Sequence, residues 1–525
     1  MNANAVVNPL SPSTRRSVSA PHSIHQFFFA ALACLGLLAF ASTSRAAGPV
    51  TARKPLGVYV HLDIEDAQSR YPGPGTSTPA EMHRYLRGLY AGLLSDRAIS
   101  GITAGMHWDH IQLAGPLCAF SRSCPAGTVD GYDWSYLDDV FAEASAAHKT
   151  VQLLITPGAD SPPWLMDAIP SCDGLFSAAA TAPPDCGKVT FANFPEEGHT
   201  DSAIQPLPWN LLYVAAWDDF LLHLSARYNA NPAFVYVAMA GPVCGSTEII
   251  FPTTANGSTT QVGAVPADDA WAALIQHSFP HVAAYQNSDQ VFIDTWKQTI
   301  DAYEAVFSGI TLILSPDAGN ALPEFTGPVT VHPDNTLFAV DCSAAPGEQR
   351  SCEAKTEILS YLVAAKGPNA KGSNVGGLTA AESVTTGDIG ISGVKVLTVL
   401  PSPLLGGAEF DYPVSTPGTL QHQGCPNYPA NCANLTPEEA TWYTLATFFS
   451  GTPAAADFGA ASGPAPVQFI EPDYLDLIYA QDNPCAAPGS TIPGNPSIQD
   501  LYSKASYDLF QMAGRPASLR PPTCP

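Results

Sequence analysis

The sequence predicts an α/β protein of the (β/α)₈-barrel class, and three observations carry that expectation. Short apolar runs alternate with helix-period segments from residue 56 to about 480. The runs number eight, the count a closed parallel barrel needs. Carboxylates and aromatics follow the runs, so chemistry-bearing residues would gather at one rim.

The expected strands, in order, are Leu56–Leu62, Gly101–Trp108, Thr150–Thr156, Phe234–Ala240, Ile310–Leu314, Leu337–Val340, Val375–Thr379 and Val467–Ile470. Each is rich in β-branched or large apolar residues and bounded by turn formers. Helical periodicity falls between them at Thr78–Leu94, Trp134–Ala147, Trp209–Tyr228, Val291–Phe307, Lys355–Ala365 and Pro437–Phe449. In the second of these, Tyr136, Leu137, Val140 and Phe141 form one apolar stripe. Trp134, Trp209, Trp217 and Trp296 sit at helical spacing and are expected in the core. Long connections follow the third and fourth strands and span roughly 400–435. One domain over 48–525, with a tail from about 490, accounts for the pattern.

Residues 1–47 read as an export signal. An apolar run from Phe27 to Ala41 follows Arg15-Arg16, and Ser44-Arg45-Ala46 fits a small-x-Ala cleavage site. The run of about 15 residues is short for a membrane span, so no membrane attachment is expected after cleavage. Cysteine usage agrees with a secreted or periplasmic location. Cys118 and Cys124, Cys172 and Cys186, Cys342 and Cys352, and Cys425 and Cys432 are close neighbours in Pro/Gly-rich connections. Disulfides that staple loops suit them better than zinc. Cys485 and Cys524 could tie down the tail. Cys244 is left over, and is expected as a buried thiol in the wall of the site.

The formal charge is −25, and the first 47 residues hold three arginines and no acid. Such a field repels a phosphate backbone or an anionic membrane, so a nucleic-acid partner is not expected. A neutral carbohydrate would be indifferent to it. Hydrophobic residues at 46% against 13% charged ones supply a large core and argue against disorder. No phosphate loop, dinucleotide fingerprint or Gly-x-Ser-x-Gly elbow occurs, and no cofactor is expected.

The rim residues are those just past each strand: Asp63 and Glu65, then His107, Trp108, Asp109 and His110, then Trp164. Glu248 follows the fourth strand, then come Asp317, Asp341, Glu382 and Glu471. Aromatic faces can stack on sugar rings, and carboxylates can bind hydroxyls and flank a glycosidic bond. Asp63 and Glu65 alternate along a strand end, so only one points at the site; Asp63 is the expected substrate ligand. The group His107-x-Asp109-His110 has metal-binding residue types. No third ligand group is fixed by spacing elsewhere, so no metal is expected there.

The stretch Pro206-Leu207-Pro208-Trp209, Trp217, Arg227-Tyr228, Pro232 and Val235–Ala240, closing on Gly241-Pro242 and Ser246-Thr247-Glu248, resembles clan-A glycoside hydrolases from their third helix to their fourth strand. The resemblance implies a (β/α)₈ TIM barrel with Glu248 as acid/base and a nucleophile at the end of strand seven. Glu382, after Val375–Thr379, fills that place; Glu409 is the rival if Val394–Leu400 is the strand. Two carboxyls about 5 Å apart would make the enzyme retaining. Asp63, His107, Trp108, Trp164 and Glu409 are the expected substrate-binding residues. Thr247 stands where many members carry Asn, which keeps a second reading open: a barrel without hydrolysis that binds carbohydrate outside the cell. A third class, a chelator-sensitive hydrolase using His107 and Asp109, also stays open.

Overall fold

The computed structural model describes residues 53–64, 79–116, 118, 123–178, 181–194, 202–245, 247–255, 257–314, 322–325, 349–366, 375–379, 405–409, 435–450, 469–485, 492 and 494–515. The leader at 1–47 lies outside these. So do Glu65, Asp317, Asp341, Glu382 and the expected strand Leu337–Val340.

Eight parallel strands close into a barrel. In chain order they are β1 (Gly57–Asp63), β2 (Ile99–His107), β3 (Thr150–Thr156), β4 (Phe234–Ala238), β5 (Thr311–Leu314), β6 (Val375–Thr379), β7 (Leu405–Glu409) and β8 (Phe469–Glu471). Each pairs in parallel with its sequence neighbour, and β8 closes on β1 through Gly57 with Phe469 and Val58 with Ile470. The helices around them include α1 (Pro79–Leu94), α2 (Ser135–Ala146), α3 (Leu211–Tyr228), α4 (Gln290–Val306), α5 (Gln349–Lys366), α6 (Pro437–Ser450), α7 (Tyr474–Asp482) and α8 (Ile498–Met512). The fold is thus the (β/α)₈ barrel that the alternation predicted.

The strand assignment differs from the expectation at the sixth and seventh positions. Val375–Thr379 is the sixth strand, and the seventh is Leu405–Glu409, paired to it through Gly377 with Leu405 and Thr379 with Gly407. The C-terminal segment also differs. Residues expected as tail form α8, opened by a capping box in which Ser497 and Asp500 satisfy each other's backbone N–H. Its buried Leu501, Tyr502, Ala505 and Leu509 belong to the main core with β1 residues.

Period-2 alternation separates two cores. Val58, Val60 and Leu62 of β1, with Ile102, Ala104 and Met106 of β2, join the helix-facing core. The opposite face fills the lumen with Tyr59, Leu154, Val235, Tyr236, Ala238, Ile313 and Phe469. Two polar pairs lie there: the Tyr59 hydroxyl and Thr150 Oγ1 are 2.8 Å apart, and Thr103 donates to Gln152. Gly101 makes the room, since a Cβ there would stand 2.6 Å from the Tyr59 ring and 2.2 Å from the Thr150 carbonyl oxygen. Burial pushes the Tyr59 hydroxyl up to about 12, and the charge of Glu471 adds to the shift.

Ion pairs knit the helix ring. Buried Asp139 of α2 holds His83 at 2.8 Å and the Arg87 Nε at 2.7 Å, both from α1. Asp138 accepts from Arg227 and Tyr228 of α3, each at 2.9 Å. The long connections after β3 and β4 build a separate antiparallel sheet in the order Ser202–Pro206, Lys188–Ala192, Gln261–Val262, Val265–Pro266. The Cys172–Cys186 disulfide anchors its first connection, and Cys118–Cys124 staples the loop after β2. Cys485 is also disulfide-bonded, while Cys244 is a buried thiol. Among the described residues, no helix is long and apolar enough to cross a membrane.

Candidate active site

Four barrel strands end on a titratable residue at the same rim: Asp63 on β1, His107 on β2, Glu409 on β7 and Glu471 on β8. Parallel strands put these C-terminal ends on one face, where barrel enzymes keep their chemistry. Glu409 occupies the register position beside Glu471, as Ala408 lies beside Ile470. Asp63 pairs with Gly105, whose missing side chain leaves the Asp63 carboxyl in contact distance of that strand. His61, two residues below Asp63, pairs with Asp473 just beyond β8.

Glu471 is wholly buried in the lumen. The Tyr236 hydroxyl of β4 donates to its Oε1 at 2.8 Å. The aromatic layer beneath is formed by Phe469 against Tyr236 at 5.6 Å and against Tyr59 at 6.1 Å, the latter edge-on. Glu471 is therefore a polar keystone of the lumen rather than a group lying open at the mouth.

Glu248 lies half-buried in the loop after β4, and α3 explains how that loop is held. The indole of Trp217 donates to the Ala240 carbonyl at 2.8 Å, and the Ala240 N–H reaches the Tyr303 hydroxyl of α4 at 3.1 Å. The Tyr213 hydroxyl bonds the Gly241 carbonyl and accepts from the Gly158 N–H at 3.2 Å. Gln205, from the antiparallel sheet, donates to the Val243 carbonyl at 2.9 Å. Beyond that, Cys244 N–H bonds the Ile250 carbonyl at 3.1 Å and Ile250 N–H bonds the Glu248 carbonyl at 2.8 Å, closing the loop on itself. Asn210 caps α3 by accepting from Leu212 and Tyr213, both at 3.1 Å, which fixes the start of the helix that supplies these anchors. Trp217, part of the motif read from the sequence, and Tyr213 one turn before it thus belong to the support of the Glu248 loop.

The aromatic expectation needs correction. Trp108 is wholly buried against Tyr213, Trp217 and Phe220, with its indole donating to Gln112 Oε1 at 2.9 Å. It cannot stack on a sugar. Its neighbour His107 has the inward parity of Thr103 and Gly105, so the next residue turns toward the helices. Trp164 is half-buried, packs over Gly115 and donates to the Gln112 carbonyl at 3.3 Å. His107 keeps its place at the rim, with Nδ1 3.7 Å from the buried carboxylate of Asp160. Glu382 lies outside the described residues.

Two features at this face have no counterpart in the sequence reading. A cavity of about 100 Å³ opens between α3 and α4 behind the end of β4, lined by Tyr213, Trp217, Asp218, Pro242 and Thr299. Desolvation pushes the Asp218 carboxyl up to about 6. Buried Asp289 and half-buried Glu324 form a second group of acids near Arg350. Burial raises Asp289 to about 6, against the lowering pull of Arg350 Nη2 at 2.6 Å, and raises Glu324 to about 7. A lone Asp or Glu carries no sequence signal that desolvation will raise its pKa.

No protein-family model matches the sequence, and no curated protein does. Among solved structures, the catalytic domain of a β-amylase from Paenibacillus polymyxa superposes with a TM-score of 0.33 at 11% identity, covering 70% of this chain and 88% of that one. A β-galactosidase from Marinomonas ef1 superposes with a TM-score of 0.31 at 10% identity, covering 87% of this chain and 65% of that one. Similarity of this extent carries no chemistry across, and the barrel assignment rests on the strand order itself.

Proposed function

We propose that the chain is an exported glycoside hydrolase, cleaving a β-linked oligo- or polysaccharide with retention, with Glu248 as acid/base and Glu409 as nucleophile. The observation that carries the reading is the common rim: Glu248 follows β4 and Glu409 ends β7. These are the two places the clan-A resemblance assigns to the acid/base and the nucleophile. The strand order supports Glu409 over Glu382 for the nucleophile's role, because Val375–Thr379 is the sixth strand and Leu405–Glu409 the seventh. Paired cysteines and the leader-like first 47 residues support export.

In this mechanism the Glu248 carboxyl protonates the departing glycosidic oxygen while the Glu409 carboxylate attacks the anomeric carbon. Glu248, now ionised, then takes a proton from the water that releases the sugar. Asp63, which ends β1 at the same rim, supports the reading as the ligand of a substrate hydroxyl.

The test is turnover of a panel of aryl β-glycosides and β-glucans by the full chain beside Glu248→Gln, Glu409→Gln and Glu382→Gln. Loss of about 10²–10⁴-fold in kcat is expected for the first two, with Glu382→Gln close to the parent. Two observations favour a second reading, a carbohydrate-binding barrel without hydrolysis: Thr247 precedes the acid, and Trp108 offers no open aromatic face. Sugar binding without turnover, unchanged by Glu248→Gln, would select it.

A further inference from the structure

The end of β2 gathers donors of a different kind from the glutamate rim. His107 is the last residue of the strand, and the single turn Trp108–Ile111 follows at once. The buried Trp108 pins this turn to α3. His107, Asp109 and His110 are left partly accessible, with side chains 33%, 30% and 51% exposed. Each offers a ligand atom, and these atoms all lie within 4.8 Å of one another. The two imidazoles face each other with ring centres 5.5 Å apart and 30° between planes. Asp109 Oδ1 lies 3.9 Å from His110 Nε2.

Two further observations point to a cation. Asp109 Oδ1 is shielded from solvent and has no hydrogen-bond partner among the described residues, a condition that buried carboxylate oxygens rarely tolerate. Behind His107, the buried Asp160 carboxylate stands 3.7 Å from Nδ1. At that distance the carboxylate acts as a nearby negative charge on the imidazole, which favours a cation at this site.

We propose that His107, Asp109 and His110 bind one transition-metal dication of the zinc type. Two imidazoles and one carboxylate suit Zn²⁺ or Co²⁺, whereas Ca²⁺ and Mg²⁺ prefer all-oxygen shells. Three protein ligands leave a coordination position for water or a substrate hydroxyl at the barrel mouth. The site is separate from the glutamate pair and does not depend on the glycosidase reading.

The experiment uses the full chain, free of any affinity tag, stripped with a chelator, dialysed and titrated with Co²⁺. The readouts are visible Co²⁺ absorption and displacement by Zn²⁺, followed in parallel by calorimetry with Zn²⁺. One equivalent is expected to bind, with the intense visible band of a four- or five-coordinate ion. The band should disappear in His107→Ala and in His110→Ala. Asp160→Asn, which leaves all three ligands, should weaken Zn²⁺ binding about tenfold. His110 is half exposed, so His110→Gln serves as a variant that retains the fold, checked by an unchanged unfolding temperature of the metal-free protein. Absence of stoichiometric binding in the parent would overturn the proposal, as would binding that survives unchanged in His110→Gln.

Discussion

The Tyr236 hydroxyl reaches Glu471 Oε1 at 2.8 Å through the lumen, joining β4 to β8 across the barrel. Both side chains are essentially inaccessible to water. A charge-assisted bond in such a place is among the stronger ones available to a side chain, and removing its donor leaves a buried carboxylate oxygen without it. Tyr236→Phe should therefore destabilise the protein by about 1–3 kcal/mol, measured as a lower midpoint in urea or a lower Tm. An unchanged midpoint would mean that Glu471 is held by its other neighbours.

Trp217→Phe keeps most of the ring volume but removes the donor to the Ala240 carbonyl. Because that carbonyl begins the loop ending at Glu248, the expected loss is about 1–3 kcal/mol. It should come with faster proteolysis within 241–255. Equal proteolysis of parent and variant would detach Trp217 from the loop's order.

The Cys172–Cys186 disulfide closes a loop of 14 residues at the base of the antiparallel sheet. The double substitution Cys172→Ala with Cys186→Ala should cost about 2–3 kcal/mol, the range for a loop of that length. Denaturation of oxidised parent and double variant in non-reducing buffer measures it.

Stability should depend on pH through the acids Asp289 and Glu324 near Arg350. Asp289 and Glu324 are held at about 6 and about 7, above their ordinary values, mainly because burial disfavours the charged form. The folded state therefore keeps protons that the unfolded chain releases. This contribution is complete below the ordinary carboxylate range and is lost as pH rises through about 6 to 7. Tm followed from pH 4 to pH 8 should show a decline in that window, and Glu324→Gln should flatten it. A decline of equal size in the variant would place the protons elsewhere.

Much of the frame was legible because the first four strands and their helices are long and strongly periodic. Thr150–Thr156 has the bounds its sequence implied, and Pro79–Leu94 and Leu211–Tyr228 lie close to theirs. β7 was not legible. Leu405-Gly406-Gly407-Ala408-Glu409 lacks an apolar run, and its strand character comes from pairing with β6 on one side and β8 on the other. The antiparallel sheet escaped for a related reason, since two of its strands are two residues long. Trp108 was misplaced because nearness to a strand end was read without alternation. The parity of Met106 and Ala104 already turned it outward. For α8 a signal existed in Ser497-x-x-Asp500 followed by Leu501, Ala505 and Leu509, a capped helix with a four-residue apolar spacing.

Gly158 adopts φ +75°, and a Cβ there would stand 2.2 Å from the Val243 carbonyl oxygen. The backbones above β3 and β4 are thus pressed together, with Gly245 N–H also reaching the Pro157 carbonyl at 3.3 Å. Neither connection can swing without dragging the other. Any displacement of the backbone on this side would carry Glu248 along with the segment that bears Asp160.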